Sequence, residues 1–164
     1  MRKKYWHHAF WILPLVAIVL LIVWSGTRPR PGESVAGQGN QHLTSITEEH
    51  IAYSTTPPTS GPHLNQKAPW GVSDARLPDE LQVHNLEDGG VIIHYDPEKI
   101  DDSTKASLIS VVNRYSDKVI LEPYADLETP IILTAWTKID KLQAFNEDEI
   151  TLFIAAYRGI DHHE

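Results

Sequence analysis

The sequence contains no cysteine. That excludes structural disulfides, a thiolate metal site, a C-x-x-C redox motif and a lipidated cysteine. Its only methionine is Met1, so thioether capture of Cu(I) is excluded too, and any metal ion must accept imidazole and carboxylate. Basic residues are scarce beyond residue 30. Five of the 14 are Arg2, Lys3, Lys4, Arg28 and Arg30, which leaves nine against 22 acidic residues, all of them after Gly32, a formal charge of −13 for that part. So acidic a chain repels phosphate backbones, which argues against nucleic acid as a partner, and its field attracts cations. A phosphate-cradling glycine loop and a G-x-S-x-G elbow are also missing.

What the chain does have begins with an apolar run from Ala9 to Trp24 behind Arg2-Lys3-Lys4. Flanked by Tyr5, Trp6 and Trp24, the run approaches the about 20 residues a transmembrane helix needs, with aromatics suited to the headgroup boundary. A cleaved signal peptide has a shorter core of about 7 to 15 apolar residues and a small-residue cleavage site, whereas Val23-Trp24-Ser25 is a poor match. Residues 1–26 are therefore expected to be an uncleaved single-pass anchor in the cell membrane. The basic cluster puts the N-terminus in the cytoplasm and the rest of the chain outside. Residues 27–39, rich in Pro, Gly, Arg, Ser and Gln, are expected to be a flexible linker. An extracytoplasmic globular domain then occupies 40–164, with a first helical turn within Leu43 to His50.

Four prolines between Tyr53 and Gly71, namely Pro57, Pro58, Pro62 and Pro69, predict a long ordered loop with Trp70 as its anchor. Asp79 to Leu86 reads as a short helix stopped by Gly89-Gly90, and Val91 to Tyr95 as a strand. A helix follows over Ser103 to Tyr115, capped by Asp102 or Ser103, with Leu108, Ile109, Val112 and Tyr115 as one stripe. Lys118 to Glu122 and Ile131 to Trp136 read as strands. The last helix starts at Asn146-Glu-Asp-Glu149, buries Ile150, Phe153, Ile154 and Tyr157, and stops at Gly159. The expectation is an α+β fold in the order strand-helix-strand-strand-helix, with helices packed on one face of a small sheet. A thioredoxin-like arrangement is the alternative. The polar tail from Ile160 is expected to fray.

Four of the nine histidines, His50, His63, His84 and His94, fall between His50 and Tyr95, with Glu87 and Asp88. On a helix, positions three and four beyond His84 project to its side, so Glu87 and Asp88 can converge with that imidazole. Imidazole with carboxylate suits Cu(II), Zn(II), Mn(II) or Fe(II). Further donors must come from elsewhere, and His63 and His50 are the candidates. The metal set expected from sequence is thus His50, His63, His84, Glu87 and Asp88. His94, within a strand, reads as cross-strand packing. His42 reads as solvated beside the linker, and His162 and His163 as part of the tail. Ser60 with His63 or His84 and Asp88 contains the groups of a nucleophilic triad, but no spacing compels one.

Pro57-Pro-Thr-Ser-Gly-Pro-His63, Val83-His-Asn-Leu-Glu87 followed by Gly89-Gly-Val-Ile-Ile93, and Pro130-Ile-Ile-Leu-Thr-Ala-Trp136 resemble the motifs of the family called domain of unknown function 3105. The resemblance runs from about His50 to Tyr157 and implies a membrane-anchored or exported protein, without an activity. It implies histidines at positions 84 and 88, where this chain has Asp88, an oxygen donor in place of an imidazole. His50 and His63 match family histidines, and His94 lies outside the pattern.

The reading is a membrane-anchored extracytoplasmic domain that binds Cu(II) or Zn(II) for storage, delivery or sensing. The alternative is a non-catalytic envelope interaction module, with Trp70 or Trp136 facing an envelope protein partner. An exported hydrolase comes third.

Overall fold

The computed structural model describes residues 14–19 and 30–163. Residues 14–19 are helical. Among the described residues no helix is long and apolar enough to cross a membrane, and the rest of the anchor expected over 1–26 lies outside them. The chain forms two compact units, 1–30 and 31–164, and the strands lie in the second.

Eight strands and three helices make up this unit: β1 Glu33–Ser34, β2 His42–Leu43, β3 His63–Leu64, β4 Gly71–Val72, α1 Asp79–Glu87, β5 Val91–Tyr95, α2 Asp102–Val112, β6 Val119–Pro123, β7 Ile131–Ala135, β8 Lys138–Leu142 and α3 Glu147–Tyr157. Six strands form one mixed sheet in the order β1-β8-β7-β5-β6-β4, and β2 with β3 forms a separate pair. β5 runs parallel to β6 across α2 and antiparallel to β7, which continues through a two-residue loop into β8.

The alternation of β5 divides the core. Val91, Ile93 and Tyr95 meet Leu108, Val111 and Val112 of α2 and Ile150, Phe153 and Ile154 of α3, so these two helices share one face. Ile92, from the other face, packs with Leu86 of α1, Ile120 and Ala68, and Trp70 and Trp136 lean on this group. Each fully buried apolar side chain of this size contributes about 1.5–3 kcal/mol. The fold is α+β as expected, but the helices do not all lie on one face, because α1 and the proline loop cover the other. α1 is consequently buried on several sides, from Gln82 through Glu87.

The helix starts follow their caps. Asp101, one residue before the expected caps, accepts the Thr104 N–H at 2.7 Å, and Asn146 accepts the Glu149 N–H at 3.3 Å. The stretch expected as a linker over 27–39 is in part built into the domain. Glu33 and Ser34 pair with Ile139 and Lys138, and the Gln38 N–H bonds to Ser60 Oγ at 3.1 Å. The helical turn expected within Leu43 to His50 is replaced by β2 and a turn in which Glu48 accepts from Thr44. In the β2-β3 pair His42 lies opposite His63.

Candidate metal centre

Three segments converge on α1, which carries His84 and Glu87 and is followed by Asp88. β3 lies within the proline loop, which is fixed ahead of it by Tyr53 donating to the Pro62 carbonyl and the Thr137 N–H to the Thr59 carbonyl. Asn85 of α1 holds the loop from the other side, accepting the Ala68 N–H at 2.8 Å and donating to the Ala68 carbonyl at 2.9 Å. His63 thus faces α1 and its Glu87 with little freedom. β2 places His42 beside it, the two rings 4.7 Å apart.

The C-terminal tail is the third segment. Gly89, at φ 78°, lets the chain turn out of α1 and lets Ile160 approach: a β-carbon there would lie 2.6 Å from the Ile160 carbonyl oxygen. The Gly159 N–H donates to the Gly89 carbonyl at 2.8 Å and the His162 N–H to the Glu87 carbonyl at 2.9 Å. His162 stacks on Trp136. This pinning corrects the expectation of a frayed tail and brings His163 to the centre.

Glu87 is fully buried. Its Oε2 lies 2.9 Å from His63 Nε2, 3.3 Å from His163 Nε2, 3.8 Å from His84 Nδ1 and 3.9 Å from His42 Nε2. Four imidazoles therefore surround one carboxylate. His63 Nδ1 is 2.8 Å from the Gly61 carbonyl, which only accepts, so Nδ1 carries a proton. The opposite nitrogen points at an oxygen of Glu87, and that contact needs a proton or a metal ion between the two. His163 repeats the pattern, with Nδ1 2.7 Å from Asp161 Oδ1. A histidine whose far nitrogen donates to a carbonyl or carboxylate is oriented as metal-binding histidines usually are.

Two buried atoms at this centre, Glu87 Oε1 and His84 Nδ1, form no hydrogen bond with the described residues. Such atoms are costly to bury unless something else satisfies them. Burial holds the His84 imidazole below the ordinary histidine range, with the Asp88 carboxylate opposing, which leaves a neutral ring suited to ligation. Burial lowers His162 in the same way, whereas the bond to Asp161 raises His163.

Among the described residues two donor groups are close enough to hold an ion: His42, His63, His84 and Glu87, and His84, Asp88 and His163, with donor atoms of each group within 4.8 Å of one another. Tetrahedral zinc with bonds of about 2.1 Å separates its donors by about 3.4 Å. The separations of 2.9, 3.8 and 3.9 Å from Glu87 Oε2 bracket that value. The buried His/Glu group can hold a metal ion.

Of the five expected ligands the structure gathers His63, His84 and Glu87 in the first group and Asp88 in the second. His50 is placed elsewhere: its Nδ1 donates to its neighbour, the Ile51 carbonyl, and Nε2 lies 3.4 Å from Glu80. His42 takes the place expected of His50, and His163 is added. Asp88 accepts Lys67 at 2.5 Å. Ser60 spends its oxygen on the Gln38 N–H, and no bond between Ser60 and a histidine occurs among the described residues.

The sequence profile of the family described as Protein of unknown function (DUF3105) matches residues 45–164. The chain belongs to that family. No curated protein and no solved structure matches the chain.

Proposed function

We propose that the domain binds one divalent transition metal ion, Zn(II) or Cu(II), through His42, His63, His84 and Glu87, and that it stores, delivers or senses that ion outside the cell membrane, held there by residues 1–26. The observation that carries this reading is Glu87 itself: a buried carboxylate ringed by imidazoles, with one oxygen and a neighbouring His84 nitrogen unsatisfied. Metal ligation gives the His84 nitrogen a partner and places a cation beside the buried carboxylate. The domain's acidity supports capture of cations. Catalysis is the weaker use of the site, since Ser60 is committed elsewhere. Trp70 and Trp136 are half-buried and pack against the α1 face of the sheet, which leaves the interaction-module alternative only part of each indole. Support for the thioredoxin-like alternative comes from the order β8-β7-β5-β6, a parallel strand-helix-strand unit followed by a hairpin and a closing helix.

The test is calorimetric titration of untagged protein with Zn(II) and Cu(II). One ion is expected per chain, with affinity lowered at least about 100-fold in Glu87→Gln and His63→Ala, beyond the effect of losing an outer-shell group. Affinity in His50→Ala is expected to match the wild type. Binding unchanged in Glu87→Gln and His63→Ala contradicts the reading.

A further inference from the structure

The two donor groups share His84, and this overlap matters for how an ion reaches a buried site. We propose that His84, Asp88 and His163 form an outer position for the same ion, through which it passes to and from His42, His63, His84 and Glu87. The proposal rests on the metal-binding reading above. A shared imidazole makes the two positions alternatives, so one ion is held at a time.

His63 and Glu87 are fully buried and His42, on the inner side, is 43% exposed; on the outer side the His163 side chain is 43% exposed and that of Asp88 15%. Through His163 the outer group reaches from solvent to the inner carboxylate, and it differs from the side of His42 in its donors, which include Asp88. One atom connects them: His163 Nε2 lies 3.3 Å from Glu87 Oε2 and 3.7 Å from Asp88 Oδ1. Passing by way of His163 and Asp88 exchanges donors one at a time and keeps the charge neutralised throughout. The His84 nitrogen without a hydrogen bond is free to follow the ion.

The surroundings fit passage as well. A cleft of about 380 Å³ lined by Asn40, Trp136, Asp161, His162 and His163 opens beside His163. Lys67 Nζ rests on Asp88 Oδ2 at 2.5 Å with its own side chain half exposed. An arriving dication displaces one ammonium into water, so Asp88 always has a cation and Lys67 acts as a latch.

The test uses the untagged full chain in detergent micelles with Zn(II) alone, measuring equilibrium affinity by chelator competition and uptake and release by stopped flow. In His163→Ala, His163→Gln and Asp88→Asn, uptake and release are expected to slow together by about tenfold or more, as for a raised barrier between unchanged end states, with affinity kept. Lys67→Ala is expected to speed both. Rates equal to wild type in the His163 and Asp88 variants overturn the proposal. Faster release with matching loss of affinity overturns it too, since His163 is then simply an inner ligand. A wild-type chain that takes up no Zn(II) removes the metal reading, and this proposal with it.

Discussion

Two buried histidine–glutamate pairs lie in this domain, and they differ in what surrounds them. His94 Nδ1 meets Glu122 Oε1 at 2.8 Å, and His63 Nε2 meets Glu87 Oε2 at 2.9 Å, all four side chains fully buried. In the first pair every remaining polar atom is used. His94 Nε2 is 2.9 Å from the Thr134 hydroxyl, and Glu122 Oε2 accepts the Leu77 N–H at 2.6 Å. In the second, Glu87 Oε1 has no hydrogen bond and three further imidazoles crowd Oε2. A closed pair stitches β5, β6 and β7 together. An open pair offers its spare atoms to a ligand.

The largest effect is expected from breaking the closed pair. Glu122→Leu strands a buried imidazole and should cost about 3–5 kcal/mol of stability in urea unfolding, while the fraction that remains folded still binds metal. Next comes the response to the ion. At a free Zn(II) concentration of about 100 times Kd, wild type and Glu122→Leu should each gain about 2.7 kcal/mol, and Glu87→Gln almost nothing. Equal gain in all three proteins would erase the distinction between the pairs. A smaller effect belongs to the tail: Gly89→Ala, strained at φ 78° and pressed against Ile160, should destabilise by about 1 kcal/mol or more and loosen His163.

The smallest effect is the pH dependence of the metal-free protein. Burial lowers the folded-state pKa of His84 and His162 below the model-peptide value of 6.5. The unfolded chain then binds more protons in that window, so stability is full above about 6.5 and declines as pH falls through it. His163, raised by Asp161, works oppositely, its contribution full below 6.5 and lost as pH rises through its folded value. Replacing His84 by Asn should flatten the acid-side decline of the thermal midpoint, and an unchanged slope would show that His84 is not desolvated.

The parts of this molecule legible in its sequence are those built by local rules. α1, α2, α3 and β5 to β7 follow apolar spacing, caps and breakers, and His84 with Glu87 follows from helical periodicity. β8 was not legible because Ile139 and Leu142 face opposite sides among Lys138, Asp140 and Lys141, leaving no alternation. His42 and His163 escaped for a related reason: a two-residue bridge to β3 and a backbone contact at Gly89 place them, and neither leaves a periodic trace. His50, and not the seemingly solvated His42, was the donor expected from sequence, but its neighbour Ile51 and distant Glu80 hold it away.

The open pair is tested most directly by X-ray absorption at the zinc edge of the loaded wild-type protein. It predicts a first shell of four nitrogen and oxygen donors at about 2.0–2.1 Å, with the outer-shell scattering of three imidazoles that drops in His42→Ala and stays in His50→Ala. A shell of water oxygens, or an imidazole signal that His42→Ala leaves untouched, would contradict it.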